Sequence, residues 1–142
     1  SLTYSIFRLP QVVGIVNNQT LISALIRNLK YGHEIMIHSK TTRHLLDVQD
    51  IPRISNIILK KGFSNSIIDI APSLNVDIYS IVKFIAFELG LDYKVNLINE
   101  GFEQNIFIST LESVLSSNDN IFKEDYWKLV LKKYTKKIYQ IV

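Results

Sequence analysis

The sequence predicts an α/β fold over residues 1–142, read as one unit. Short runs dense in β-branched and aromatic side chains alternate with runs whose apolar residues recur at three-and-four spacing. The five glycines, at 14, 32, 62, 90 and 101, fall where those runs end. Strands alternating with helices favour a sheet with at least one crossover, normally right-handed. A chain of this length buries about 70 % of its unfolded surface. With 47 % hydrophobic and 20 % charged residues it is too apolar to remain disordered. No repeat, low-complexity tract or linker divides it.

Tyr4 to Leu9 is aromatic and β-branched and stops at Pro10, which reads as a short buried strand, with Gly14 turning the chain afterwards. Leu21, Ile22, Leu25, Ile26 and Leu29 form one face of a helix that Gly32 ends. Glu34–His38 and Arg43–Val48 read as two strands joined tightly by Ser39–Thr42. Asp50 is placed to cap a helix whose first turn accepts Pro52 and whose inner face is Ile51, Ile54, Ile57 and Ile58, ending near Gly62. Ser66–Ala71 is a further strand. Asn75 or Asp77 opens the helix of Ile78, Ile81, Val82, Ile85 and Leu89, which Gly90 terminates. Tyr93–Ile98 is expected as a strand, Phe107–Leu115 as a short helix, Ser116–Asn120 as a loop, and Lys123 to about Val142 as a final helix.

Composition narrows the function classes. A net charge of +3 is too small to mark a polyanion-binding surface. The last helix carries Lys128, Lys132, Lys133, Lys136 and Lys137 beside Trp127, Tyr134 and Tyr139; this is expected to be a solvated face complementing its own C-terminal dipole, with no nucleic acid bound. No stretch reaches the roughly 20 apolar residues that span a bilayer, so no membrane partner is expected. The absence of cysteine excludes disulfides and fits a cytoplasmic protein. A start at Ser1-Leu2 that runs at once into strand-like sequence suggests a chain that begins inside something larger.

Catalytic signatures are missing. His33, His38 and His44 show no i,i+4 pair, so no metal site is expected. The scattered glycines form no phosphate loop, and no G-x-S-x-G elbow occurs. Two arginines remain as candidate anion ligands, Arg8 beside Leu9-Pro10-Gln11 and Arg43 after Thr41-Thr42, because a guanidinium fork suits phosphate. Spacing alone leaves either as a surface ion pair.

In order, these segments resemble the C-terminal half of the extended short-chain dehydrogenases/reductases, the group of NAD-dependent nucleotide-sugar epimerases, dehydratases and reductases. Arg8-Leu9-Pro10-Gln11-Val12-Val13-Gly14 is similar to the family's R-x-x-N-V-Y-G, and Arg43-His44-Leu45-Leu46-Asp47-Val48-Gln49-Asp50 to its R-D-F-x-x-V-D-D. Ile67 to Ala71 and the following helix match more generically. The resemblance implies a partial Rossmann-type α/β chain, residues 1–142 forming the substrate-binding portion, without the dinucleotide-binding half. It implies Arg43 on the nucleotide's diphosphate, Gln11 on the substrate, Pro10 against the nicotinamide, and structural roles for Asp47 and Asp50. The sugar nucleotide would be the ligand, NAD or NADP the parent's cofactor, with none in this portion. No catalytic residue is assigned, because the family's cofactor loop and Tyr-x-x-x-Lys pair lie N-terminal to the matched part. Three departures stand: Gln11 for asparagine, Ile15 for the usual proline, and no second arginine in Gly101-Phe102-Glu103-Gln104-Asn105. The alternative is a non-catalytic, self-associating interaction domain, and a homodimer is expected because Tyr4–Leu9 would expose a face or an edge without neighbours.

Overall fold

The computed structural model describes residues 2–116 and 119–142. Among these it has β1 (Ser5–Arg8), β2 (Gln11–Val13), α1 (Leu21–Lys30), β3 (Ile35–His38), β4 (Thr42–Arg43), β5 (Leu45–Asp47), α2 (Asp50–Lys60), β6 (Ser66–Asp69), β7 (Val76–Asp77), α3 (Ile78–Leu89), β8 (Val95–Ile98), α4 (Ser109–Val114) and α5 (Tyr126–Ile141). The expected α/β class holds. Within the expected loop Ser116–Asn120, residues 117 and 118 lie outside the described set, as does Ser1.

The strands form two-stranded pairs: β1 with β6, β2 with β5 and β3 with β8 run parallel, and β4 with β7 antiparallel. Two apolar cores support them. The larger gathers Ile22, Ile26, Ile37, Leu45, Ile81, Ile85 and Leu131 between α1, α3, α5 and the strands β3 and β5. The smaller packs Ile54 and Ile58 of α2 and Leu111 of α4 under Ile68 of β6.

Helix boundaries follow local chemistry. Thr20 and Ser23 cap α1 reciprocally, each side chain accepting the other's backbone N–H. Asp77 caps α3 by accepting the Ser80 N–H at 2.8 Å. The expected cap at Asp50 does not form: α2 starts at Asp50 itself, with no side-chain bond from Gln49. The Asp50 carboxylate instead accepts the Tyr126 hydroxyl at 2.6 Å, a partner 76 residues away.

The segment Arg43–Val48, expected as one strand, divides at His44. The chain changes neighbours there, from β7 beside β4 to β2 beside β5. β2 itself was not anticipated; it begins where the Gln11 N–H donates to the His44 carbonyl at 3.2 Å.

α5 is fixed by a polar cluster. Asp47, buried at the end of β5, accepts from Lys133 Nζ at 2.7 Å, the Tyr134 hydroxyl at 2.5 Å and the Gln49 N–H at 2.9 Å. Its own N–H donates to the Tyr126 hydroxyl at 2.9 Å. The α5 lysines are exposed, but the last turn holds no basic residue, so the expected dipole complement is not made by α5 itself. Lys30 of α1 supplies it, donating to the carbonyls of Tyr139 at 2.9 Å and Val142 at 2.6 Å.

The β1–β6 sheet is covered on one side only. Phe7 and Ile68 are neighbours in register and face the smaller core. Ile6 and Ile67, the next pair along, are 47 % and 55 % exposed, and Tyr4 and Leu9 are similarly uncovered. Bonds from Asn65 N to Tyr4 O and from Ile70 N to Arg8 O direct those residues toward β6. By the alternation of a parallel ladder, Ser5 and Phe7 turn their backbone groups to the other edge, where no described strand pairs.

Candidate functional site

The structure separates the two candidate arginines. Arg8 Nε and Nη2 donate to the two carboxylate oxygens of Asp69 at 2.7 and 2.8 Å, a fork that ties β1 to β6 at Arg8↔Asp69. That bond holds its guanidinium further above its ordinary value, and Arg8 is a register pin. Arg43 is half-buried in β4; its Nη1 donates to its neighbour's carbonyl, Thr42 O, at 2.8 Å. Among the described residues it forms no ion pair with a carboxylate.

Gln11 and Pro10 lie at the start of β2, which pairs with β5, and Gln11 reaches the carbonyl of His44, the residue after Arg43. Gln11 opens β2 through its bond to the His44 carbonyl, and among the described residues its half-buried side chain makes only a long contact, Nε2 to Val12 O at 3.4 Å. Pro10, half-buried, joins β1 to β2. Beyond β2, the turn Gly14–Thr20 and the end of α5 enclose a cleft of about 500 Å³, within the range of small-molecule sites. Gly14 is required in that wall, because a Cβ there would lie 2.5 Å from Val48 Cγ1.

The segment from Gly101 to Ile108, where the resemblance implies a second arginine, runs against β4 as irregular chain. The Gln104 N–H donates to Thr42 Oγ1 at 3.0 Å, and Asn75 Nδ2 donates to the Gln104 carbonyl at 2.7 Å. Gly101 has φ +97°, and any side chain there would run into Thr41 Oγ1. The segment thus brings an amide, not a charge, to the Arg43 strand.

His44, which spacing weighs only as a metal ligand, is instead a buried hydrogen-bonding residue. It is 3 % exposed, with Nδ1 2.8 Å from Pro72 O and Nε2 3.0 Å from Gln104 O. The available signal was its place in the motif: it stands after the arginine, where R-D-F has an acid. The other histidines do not join it; His38 lies 3.7 Å from Glu100 and His33 beside Tyr31. Among the described residues, no group of three or more metal-ligating side chains converges.

One Tyr-x-x-x-Lys spacing does occur, Tyr79 to Lys83 in α3. Lys83 Nζ lies over the Tyr79 ring, 5.6 Å from its centroid, and that ring meets Tyr93 edge-on at 6.3 Å. The pair is an aromatic–cation contact along one helix face.

Comparison with solved structures decides the architecture. The chain superposes over 99 % of its length on the UDP-N-acetylglucosamine 4-epimerase of Methanobrevibacter ruminantium M1, in complex with UDP-N-acetylmuramic acid, with TM-score 0.75 and 19 % identity. The fold is that of the extended short-chain dehydrogenases/reductases. UDP-glucose 4-epimerase of Thermotoga maritima with UDP-glucose matches over 99 % of the chain, with TM-score 0.74 and 12 % identity. RMD of Pseudomonas aeruginosa, complexed with NADPH, matches over 97 % with TM-score 0.75 and 14 % identity. The chain spans 46 %, 47 % and 49 % of those three proteins, so the shared fold is partial. Neither family models nor curated proteins yield a sequence match.

Proposed function

We propose that residues 1–142 are the substrate-binding portion of an NAD(P)-dependent nucleotide-sugar epimerase, dehydratase or reductase. Arg43 would hold the diphosphate and Gln11 would meet the sugar. The observation that carries this reading is a half-buried Arg43 without a carboxylate partner among the described residues, one residue before the His44 carbonyl that the Gln11 N–H meets. A guanidinium in that state keeps forked donors for an oxyanion. UDP-sugars and NADPH in the structural relatives support the same ligand classes.

The chain's own residues do not fit a dinucleotide. Gly32, Gly62 and Gly90 follow the ends of α1, α2 and α3, and Gly14 is packed against Val48, so no glycine-rich turn leads into a helix. In this reading the cofactor, with Pro10 as its one neighbour here, is held by a companion half and supplies the hydride chemistry when bound. Residues 1–142 position substrate without catalysing its conversion, and the Tyr79–Lys83 geometry supports that.

The test is thermal unfolding of the chain with UDP-glucose. At a hundredfold excess over Kd, binding adds about 2.7 kcal/mol of stability, and Arg43→Ala should abolish most of the shift. An equal response, or none, in both proteins would refute the reading.

A second reading, a self-associating interaction domain, is favoured by the open β1 edge and the bare Tyr4, Ile6 and Ile67 face. Sedimentation across a dilution series should then show a homodimer that Ile6→Glu dissociates; a monomer at every concentration removes it. No nucleic-acid or membrane partner is proposed, and no described helix is long and apolar enough to cross a membrane.

A further inference from the structure

We propose that His44 is a positioning residue that sets the Arg43 guanidinium by tying three separate segments to its strand; this rests on the reading of Arg43 as a phosphate ligand. The four polar groups of His44 meet three parts of the chain. Its carbonyl accepts the Gln11 N–H of β2 at 3.2 Å. Its ring nitrogens lie 2.8 Å from Pro72 O and 3.0 Å from Gln104 O, donating to one carbonyl as the neutral imidazole or to both as the imidazolium, and its N–H reaches Gln104 Oε1 at 3.4 Å. Thr42, on the other side of Arg43, accepts the Gln104 N–H at 3.0 Å. Gln104 therefore brackets Arg43 through the residue before it and the residue after it.

β4 is only two residues long and pairs with a two-residue β7, so the ladder alone constrains it weakly. Burial of His44 makes the bracket rigid where the ladder is not, since a buried polar group that loses its partner is costly. A carboxylate in place of His44 would offer only acceptors to two carbonyls, whereas the imidazole brings at least one N–H. The histidine and the amide segment at Gln104 thus belong together. They give this chain one phosphate-directed guanidinium held from both flanks, in place of two that share the charge.

The test compares affinities of the full chain for UDP-glucose and for uridine, which lacks phosphate, measured by NMR titration. Wild type should prefer UDP-glucose by at least about 10- to 100-fold, the range of a charge-assisted contact, and Arg43→Ala should lose most of that preference, the sugar's contact with Gln11 keeping the rest. His44→Leu and Thr42→Val should each lower the preference at least about fivefold while leaving uridine affinity unchanged. A purely structural role would weaken both ligands alike. His44→Leu decides the matter if its far-UV circular dichroism matches wild type, and otherwise Thr42→Val does. A wild type without preference sinks the reading of Arg43 and this inference with it. A preference lost in Arg43→Ala but kept in the deciding variant overturns the bracket that His44 and Gln104 form around Arg43, and with it the positioning role of His44.

Discussion

Replacing Tyr126 by phenylalanine removes one oxygen from the cluster that binds α5 to β5 and α2. The ring is 7 % exposed and packs edge-on against Phe122 at 5.0 Å, contacts that phenylalanine keeps. The hydroxyl accepts the Asp47 N–H and donates to Asp50 Oδ2. Its loss strands a buried backbone donor and takes a donor from a carboxylate, together about 2–4 kcal/mol. For a chain of this size that is about 6–12 °C in melting temperature. Burial, then the bond to Asp50, push the phenol well above its ordinary value of about 10. A group held protonated by the fold stabilises fully below its unfolded value and loses that contribution as pH rises past it. Wild type should therefore lose up to about 1.4 kcal/mol more than Tyr126→Phe per pH unit above about pH 10. Circular-dichroism melts at pH 7 and across pH 10–11.5 measure both effects. A melting-temperature loss below about 2 °C, or parallel alkaline slopes, would refute the account.

Burial disfavours the Asp47 carboxylate, but Lys133, Tyr134 and the Gln49 N–H outweigh it and hold the group below its usual range. Its contribution is present above about pH 4 and lost as pH falls through the folded value. Asp47→Asn should cost stability at pH 7 and flatten the acid limb of the same melts. Gly14→Ala should destabilise by about 1–3 kcal/mol through its collision with Val48; Val48→Ala in the same chain should recover part of this in urea melts. Ile58→Ala, in the smaller core, should cost about 2–5 kcal/mol, measured by the same method.

The fold was legible where a segment's structure is set by its own residues. α1 and α3 carry their caps, apolar stripes and terminating glycines within about a dozen positions. It was illegible where a distant group decides. Asp50 reads as a cap until Tyr126 claims its carboxylate. Arg43–Val48 reads as one strand because nothing local shows that His44 meets β2 and Gln104. The same distance hid part of the site: Arg8 and Arg43 are equivalent by spacing, and only Asp69, 61 residues from Arg8, separates them. α5's lysines look like a dipole complement because the group that performs that task, Lys30, lies in α1.

The α5 cluster also bears on how the chain is made. Asp47 leaves the ribosome 79 to 87 residues before Tyr126, Lys133 and Tyr134 follow it, an interval of about 4–17 s at ordinary elongation rates. Over that interval Asp47 lacks those bonds, and Leu45 and Ile85 lack the helix that covers them. The smaller core draws nothing from α5 but waits for Leu111, Val114 and Ile121, so it closes only just ahead of that helix. Synthesis therefore passes through a species half-assembled at β5, in which the nascent chain, rather than the finished protein, is the form a chaperone would meet.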